Sequence, residues 1–170
     1  KLGDPRDEDV VVGPMVEGPH FEKVKSFIAI TEQEGGKLVQ GGKIHSDLGS
    51  GWYIEPTIFD NVTADMTLFQ QEVFGPILAV TTFTSDEEAV ALANNSSYGL
   101  AASLYTESLK RAQRVSRAIR AGTVSINGFS EGDITTPFGG FKQSGFGGRD
   151  KGLEALQQYV QTKTIWYVQD

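Results

Sequence analysis

Glu72 is the residue whose type and setting best suit small-molecule chemistry. It opens the string Glu72-Val73-Phe74-Gly75-Pro76, just ahead of an apolar run from Ile77 to Val80. Ionised, its carboxylate offers two acceptor oxygens and can take hydrogen bonds from both hydroxyls of a sugar diol. Judged by residue type alone, it would be a solvated Glu at the edge of a strand, as most Glu are exposed. A second constellation is Pro137-Phe138-Gly139-Gly140. The paired glycines let the backbone approach closely whatever lies above it, and Phe138 suits one wall of a small-molecule pocket. The alternative is a glycine-rich surface loop with Phe138 tucked into the core.

Other residue types narrow the chemistry. The chain has no cysteine, hence no thiol nucleophile and no disulfide framework. His20 and His45 stand alone in sequence, with no Cys or carboxylate at ligand spacing, and read as exposed residues rather than metal ligands. Gly145-Phe146-Gly147 does not make a dinucleotide fingerprint, because Asp150 occupies the third glycine position and no strand precedes it. Asp7-Glu8-Asp9 reads as a solvated face.

The elements that must position these residues follow from periodicity. Leu2 to Gly13 reads as a loop. Phe21, Val24, Ile28 and Thr31 fall on one helical face, stopped by Gly35-Gly36. Lys37 to Val39 suits a short strand, and Trp52 to Val62 a longer one limited by Pro56. Ile77 to Phe83 is a continuous apolar and β-branched run, as a strand buried on both faces requires. Ser85 and Glu88 form a capping box for a helix to about Ala93. Asn94 to Ser97 then end that helix, and Gly99 turns the chain into a strand from Leu100 to Tyr105. Leu109, Ala112, Val115 and Ile119 mark a helix closed by Gly122, and Thr123 to Ile126 is a strand. A glycine-rich loop from Asn127 to Gly148 leads to a helix from about Leu153 to Gln161 and a final strand, Thr164 to Val168. The fold class is therefore α/β, a mostly parallel sheet with right-handed βαβ crossovers. Ligands of such sheets gather at the carboxyl ends of the strands, where the loop after Ile126 should lie.

At 170 residues the chain can bury a real core, and its 20 glycines are spread along it, predicting turns rather than disorder. A net charge of −7 disfavours nucleic acid and anionic membrane as partners. No apolar run is long enough to span a bilayer and no secretory signal opens the chain, which fits a cytoplasmic protein.

Gln71-Glu72-Val73-Phe74-Gly75-Pro76 and Pro137-Phe138-Gly139-Gly140-Phe141-Lys142-Gln143-Ser144-Gly145, in this order, resemble the C-terminal third of an aldehyde dehydrogenase. Gly51-Trp52-Tyr53-Ile54-Glu55-Pro56-Thr57 and Asn94 to Ala102 are similar to the same family. The resemblance covers nearly the whole chain and implies several expectations. Residues 1–162 would be a partial catalytic domain and 163–170 an oligomerisation strand. Glu72 would grip the nicotinamide ribose of NAD or NADP, and Phe74 would pack beside the nicotinamide. The nucleophilic Cys, the general-base Glu and the oxyanion-binding Asn would lie upstream, leaving no catalytic residue in this chain and the chain alone inactive. Phe138 would face the aldehyde tunnel, with Ser130, Glu131, Gly132 and Asp133 at its rim. The implied partners are a small-molecule aldehyde, the missing N-terminal part and further copies in a homo-oligomer. No metal is implied.

Within the family, Glu131-Gly132-Asp133-Ile134 and Gly148-Arg149-Asp150-Lys151 look closest to amino-aldehyde enzymes of the γ-glutamyl-γ-aminobutyraldehyde type. Betaine-aldehyde and general aliphatic types stay open. Two carboxylates, Glu131 and Asp133, at a tunnel mouth would attract an ammonium group; the alternative is that both simply solvate the loop. The Lys142-to-Arg149 spacing is one glycine longer than the family pattern, and Gln161 stands where many members have a subunit-bridging Glu, so neither ion pair is assigned. A free-standing, non-catalytic assembly module of the same fold is the competing reading.

Overall fold

The computed structural model describes residues 1–130 and 132–169, in two compact units, Lys1–Thr84 and Ser85–Asp170. The first unit is built on helix α1 (Gly18–Gln33). Pro19 lies in its first turn, where a missing N–H costs nothing. Its apolar positions Val24, Phe27 and Ile28 are buried against Ile54, Phe59, Val62, Met66, Leu68 and Val73. Thr31 shares that face, and its hydroxyl donates to the Phe27 carbonyl at 2.7 Å, which settles a polar group in the core.

Strands β1 (Lys37–Gln40), β2 (Ile44–His45), β3 (Tyr53–Ile54) and β4 (Thr57–Asp60) follow, then a short helix α2 (Thr67–Gln70) and strand β5 (Ile77–Ala79). β2 and β3 form an antiparallel hairpin with Ile44 opposite Ile54 and His45 opposite Tyr53. The expected strand from Trp52 to Val62 is split at Glu55-Pro56, since Pro has no N–H for a ladder. β4 is central, antiparallel to β1 and parallel to β5, with Thr57, Ile58 and Phe59 opposite Ile77, Leu78 and Ala79.

The second unit contains α3 (Asp86–Asn94), β6 (Ala101–Leu104), α4 (Leu109–Ala118) and β7 (Thr123–Ile126). The Ser85 hydroxyl caps α3 by accepting from the Glu88 N–H at 3.1 Å, and Asp86, Glu87 and Glu88 oppose the positive end of the helix. Ser108 caps α4 in the same way through the Arg111 N–H. β6 and β7 pair in parallel, Ala101 opposite Thr123 through Leu104 opposite Ile126, with α4 as the crossover that buries Ala112 and Val115. Asp86 receives ion pairs from Arg111 (2.9 Å) and Arg114, which tie α3 to α4.

Four expectations change. The class is α/β with parallel pairs, but the strands form three small sheets, two of whose pairings are antiparallel. β5 is not buried on both faces: Ile77 and Ala79 are half-buried, whereas Leu78 and Phe83 are each 57% exposed. A layer covers one side of this strand and not the other. The helix expected from Leu153 to Gln161 is a 3-10 helix, Leu153–Gln158, with no buried residue to stabilise a longer one. Residues 160–169 carry no regular structure, and the strand expected at Thr164–Val168 pairs with no neighbour among the described residues. No helix among the described residues is long and apolar enough to cross a membrane.

Candidate functional site

The segment bearing Glu72 and Phe74 is anchored from below. Val73 is 7% exposed and belongs to the first unit's core. Gly75 lies flush on α1, where a Cβ would come 2.7 Å from Val24 Cγ2, so a side chain here would have to displace the buried Val24. α1 also fastens the backbone: His20 Nε2 donates to the Phe74 carbonyl at 2.7 Å and Lys23 Nζ to the Glu72 carbonyl at 3.2 Å. The side chains between these anchors point outward. Glu72 is exposed and Phe74 is 75% exposed, on a backbone at φ 60°. A non-glycine residue in that left-handed region costs about 1–3 kcal/mol and persists only where its surroundings impose it. The carboxylate and the ring are thus presented together on an over-determined turn. That arrangement suits a ligand carrying a diol beside a flat ring.

In the second unit, Phe138 is half-buried and lines a cavity of about 430 Å³ with Leu100, Ala102, Ser103, Ser125, Phe129 and Ser130. The walls are mostly apolar, with hydroxyls from both strands. The Phe138 carbonyl accepts from the Asp150 N–H at 2.7 Å, and the Lys151 ammonium lies 5.3 Å from the ring centre. Of the residues expected at a substrate rim, Ser130 and Phe138 meet in this cavity. Gly132 and Asp133 form the next turn instead. Gly132, at φ 77°, donates its N–H to Ser130 Oγ at 3.0 Å. Asp133 Oδ1 accepts from the Thr135 hydroxyl (2.6 Å) and N–H (2.8 Å), and the hydroxyl bond chiefly holds its carboxyl below the usual range. It stays ionised, but much of its acceptor capacity is spent on its own turn. Glu131 lies outside the described residues.

His45 departs from expectation. It is neither exposed nor isolated: its side chain is 16% exposed, Nε2 meets Glu55 Oε1 at 2.8 Å and Nδ1 meets Asp47 Oδ1 at 3.1 Å. The bond to Glu55, then that to Asp47, raises its pKa. A carboxylate on each ring nitrogen makes an imidazolium bridge, not a metal site, and no group of three metal-ligating side chains converges among the described residues. His20 serves the Phe74 carbonyl. Arg149 lies over the Phe141 ring, and Asp150 accepts from Gln158 Nε2 at 3.0 Å.

Sequence reasoning missed Phe129, Leu100 and Ser125 as cavity residues. Phe129 had a readable signal, a lone aromatic in a glycine-rich loop. It also missed Lys142, whose ammonium donates to the carbonyls of Asn94 (2.9 Å) and Ser96 (2.8 Å).

Comparison with known proteins agrees with these signatures. Residues 1–165 match the aldehyde dehydrogenase family. Aminoacetaldehyde dehydrogenase of Pseudomonas aeruginosa is 49% identical over 98% of this chain and 33% of its own length. The NADP/NAD-dependent aldehyde dehydrogenase PuuC of Escherichia coli is 45% identical over 96% of the chain and 32% of its own length. Among solved structures, an indole-3-acetaldehyde dehydrogenase complexed with NAD+ superposes with a TM-score of 0.93 at 46% identity, covering 98% of this chain and 34% of that one. The chain spans about a third of the length of the curated relatives it matches, and it belongs to the aldehyde dehydrogenase family.

Proposed function

We propose that this chain is the distal part of the catalytic domain of an NAD(P)+-dependent aldehyde dehydrogenase, and that it supplies binding surfaces rather than reacting groups. The observation that carries the reading is the outward presentation of Glu72 and Phe74 on a strained turn held by His20 and Lys23. NAD(P)+, when bound, would accept hydride from the aldehyde carbon. Toward it, the Glu72 carboxylate would accept from the ribose hydroxyls, and Phe74 would offer an apolar face to the nicotinamide. A free-standing assembly module would have no use for such a pair.

Phe138, Phe129 and Ser130 would form one wall of the aldehyde site, excluding water from the reacting carbon. A thiolate nucleophile must come from outside a chain with no cysteine. The exposed Phe129 (91%), Leu153 (84%) and Trp166 (84%) are then surfaces that the missing part and partner subunits cover, with residues 163–170 as the oligomerisation strand. For the substrate, an amino-aldehyde is favoured. Asp133 keeps its charge, in the turn that follows Ser130 through the Gly132 N–H.

The test compares this chain with the full-length enzyme that contains it. The enzyme should reduce NAD(P)+ in the presence of an aldehyde. The chain alone should not, and adding the cysteine-bearing remainder in trans should restore turnover. Aldehyde oxidation by the purified chain alone would overturn the proposal.

A further inference from the structure

We infer that Lys142 is a positioning residue, whose ammonium clamps the end of α3 to the Phe138 loop and so holds two walls of the 430 Å³ cavity in register. The identity of the cavity's ligand rests on the reading proposed above; the clamp does not.

Lys142 sits at φ 54°, a backbone state that a lysine adopts only under constraint. Its side chain reaches carbonyls 48 and 46 residues upstream, those of Asn94 and Ser96. Asn94 is the last residue of α3, where helix carbonyls have no partner within the helix and the dipole is negative. An ammonium is the chemically matched group for that end, and its bonds to carbonyls are charge-assisted.

Neutral bonds surround the ammonium. The Phe141 N–H donates to the Gly99 carbonyl (2.8 Å), the Gln143 N–H to the Ser97 carbonyl (3.0 Å), and the Gly99 N–H to Ser144 Oγ (3.1 Å). Residues 141–144 thereby grip residues 94–99. The gripped segment runs through Leu100 into β6; Leu100 to Ser103 form one cavity wall, and Phe138, just before the gripping segment, forms another. Releasing the ammonium frees these walls to drift apart while touching no atom of a bound aldehyde. Asn94 adds rigidity to the anchor, since its side chain donates to the Ala118 carbonyl and accepts from the Arg120 N–H.

Two measurements test the clamp and its consequence. The chain has no cysteine, so K142C introduces a single thiol that 2-bromoethylamine converts to a lysine analogue bearing the same ammonium. Hydrogen exchange at the Gly99, Phe141 and Gln143 amides should quicken about tenfold in K142C, the loss of a hydrogen bond to a charge, and return on aminoethylation. Unchanged exchange, or a loss that aminoethylation does not reverse, overturns the clamp. In the full-length enzyme, K142M keeps the stem and removes the charge. It should raise KM for aldehyde about tenfold with kcat nearly unchanged. A fall in kcat at constant KM, or no change at all, overturns the role at the cavity. If the unaltered enzyme oxidises no aldehyde, the proposed activity falls, and the exchange result still decides the clamp.

Discussion

Gly122→Ala should be among the most damaging single substitutions in the second unit. Gly122 leads into β7, and a Cβ built on it would lie 1.7 Å from the Gly139 carbonyl oxygen and 2.8 Å from the Gly139 carbonyl carbon. Non-bonded carbon and oxygen settle at about 3.3 Å or more, so the Gly139 backbone must retreat by roughly 1.5 Å. It cannot do so freely. Next to it, the Phe138 carbonyl is bonded to the Asp150 N–H at 2.7 Å and the Phe141 N–H to the Gly99 carbonyl at 2.8 Å. Overpacking costs about 1–3 kcal/mol and a broken backbone bond about 0.5–1.5 kcal/mol, giving about 3 kcal/mol. For a unit of this size, each kcal/mol is about 4–8 °C in Tm, so calorimetry should record a fall of roughly 12–24 °C. Gly122 is not in the left-handed region, so the penalty is steric, and Gly122→Ser should match Gly122→Ala. A Tm within about 4 °C of the unaltered chain, less than 1 kcal/mol implies, would refute this packing of the signature loop.

Further outcomes follow from other contacts. The His45 pKa is raised above 6.5 by Glu55 and Asp47, so His45 stabilises the β2–β3 hairpin fully below its unfolded pKa, and that contribution is lost as pH rises through the folded value. Proton NMR should place the His45 midpoint above 6.5; a midpoint at or below it would dismiss the bridge. Val73→Ala removes buried methyl groups beneath Glu72 and Phe74 and should cost about 2 kcal/mol by denaturant unfolding, whereas no loss would mean that Val73 is not an anchor. The chain alone should self-associate through its exposed apolar residues, and light scattering of a clean monomer at high concentration would count against that. In the full-length enzyme, Asp133→Asn should lower kcat/KM for an amino-aldehyde severalfold at low salt, by about 1 kcal/mol, and leave hexanal unaffected. Equal kcat/KM for hexanal and an amino-aldehyde of the same length in the unaltered enzyme would remove the charge argument.

What was legible in the sequence was local or strongly periodic. The Ser85 cap needs only its own first turn, and β7 falls at Thr123–Ile126 as its residue types predict. The signature singled out Glu72 and Phe74 as candidates, but the positive φ of Phe74 was not legible, because nothing in the residue type announces it. Features that depend on distant partners were hidden. His45 meets Glu55 because the hairpin places His45 opposite Tyr53, a register that isolated residues do not reveal. Lys142 finds carbonyls more than forty residues away. The overestimated elements share a different cause. Leu78, Leu153 and Trp166 are apolar enough to suggest buried strands and helices, yet they are 57%, 84% and 84% exposed within this chain. Apolar pattern reports the surface that must be covered, not which chain covers it.

Glu72 is proposed to hold the cofactor for hydride transfer. The direct measurement is single-turnover reduction of NAD(P)+ by the full-length enzyme and its Glu72→Gln variant, with cofactor affinity measured alongside. The amide keeps the shape and loses a charged acceptor worth about 1.5–3 kcal/mol per hydrogen bond, so hydride transfer should slow at least tenfold while cofactor Kd changes less. Unchanged hydride transfer with unchanged affinity would contradict the account and remove Glu72 from the site.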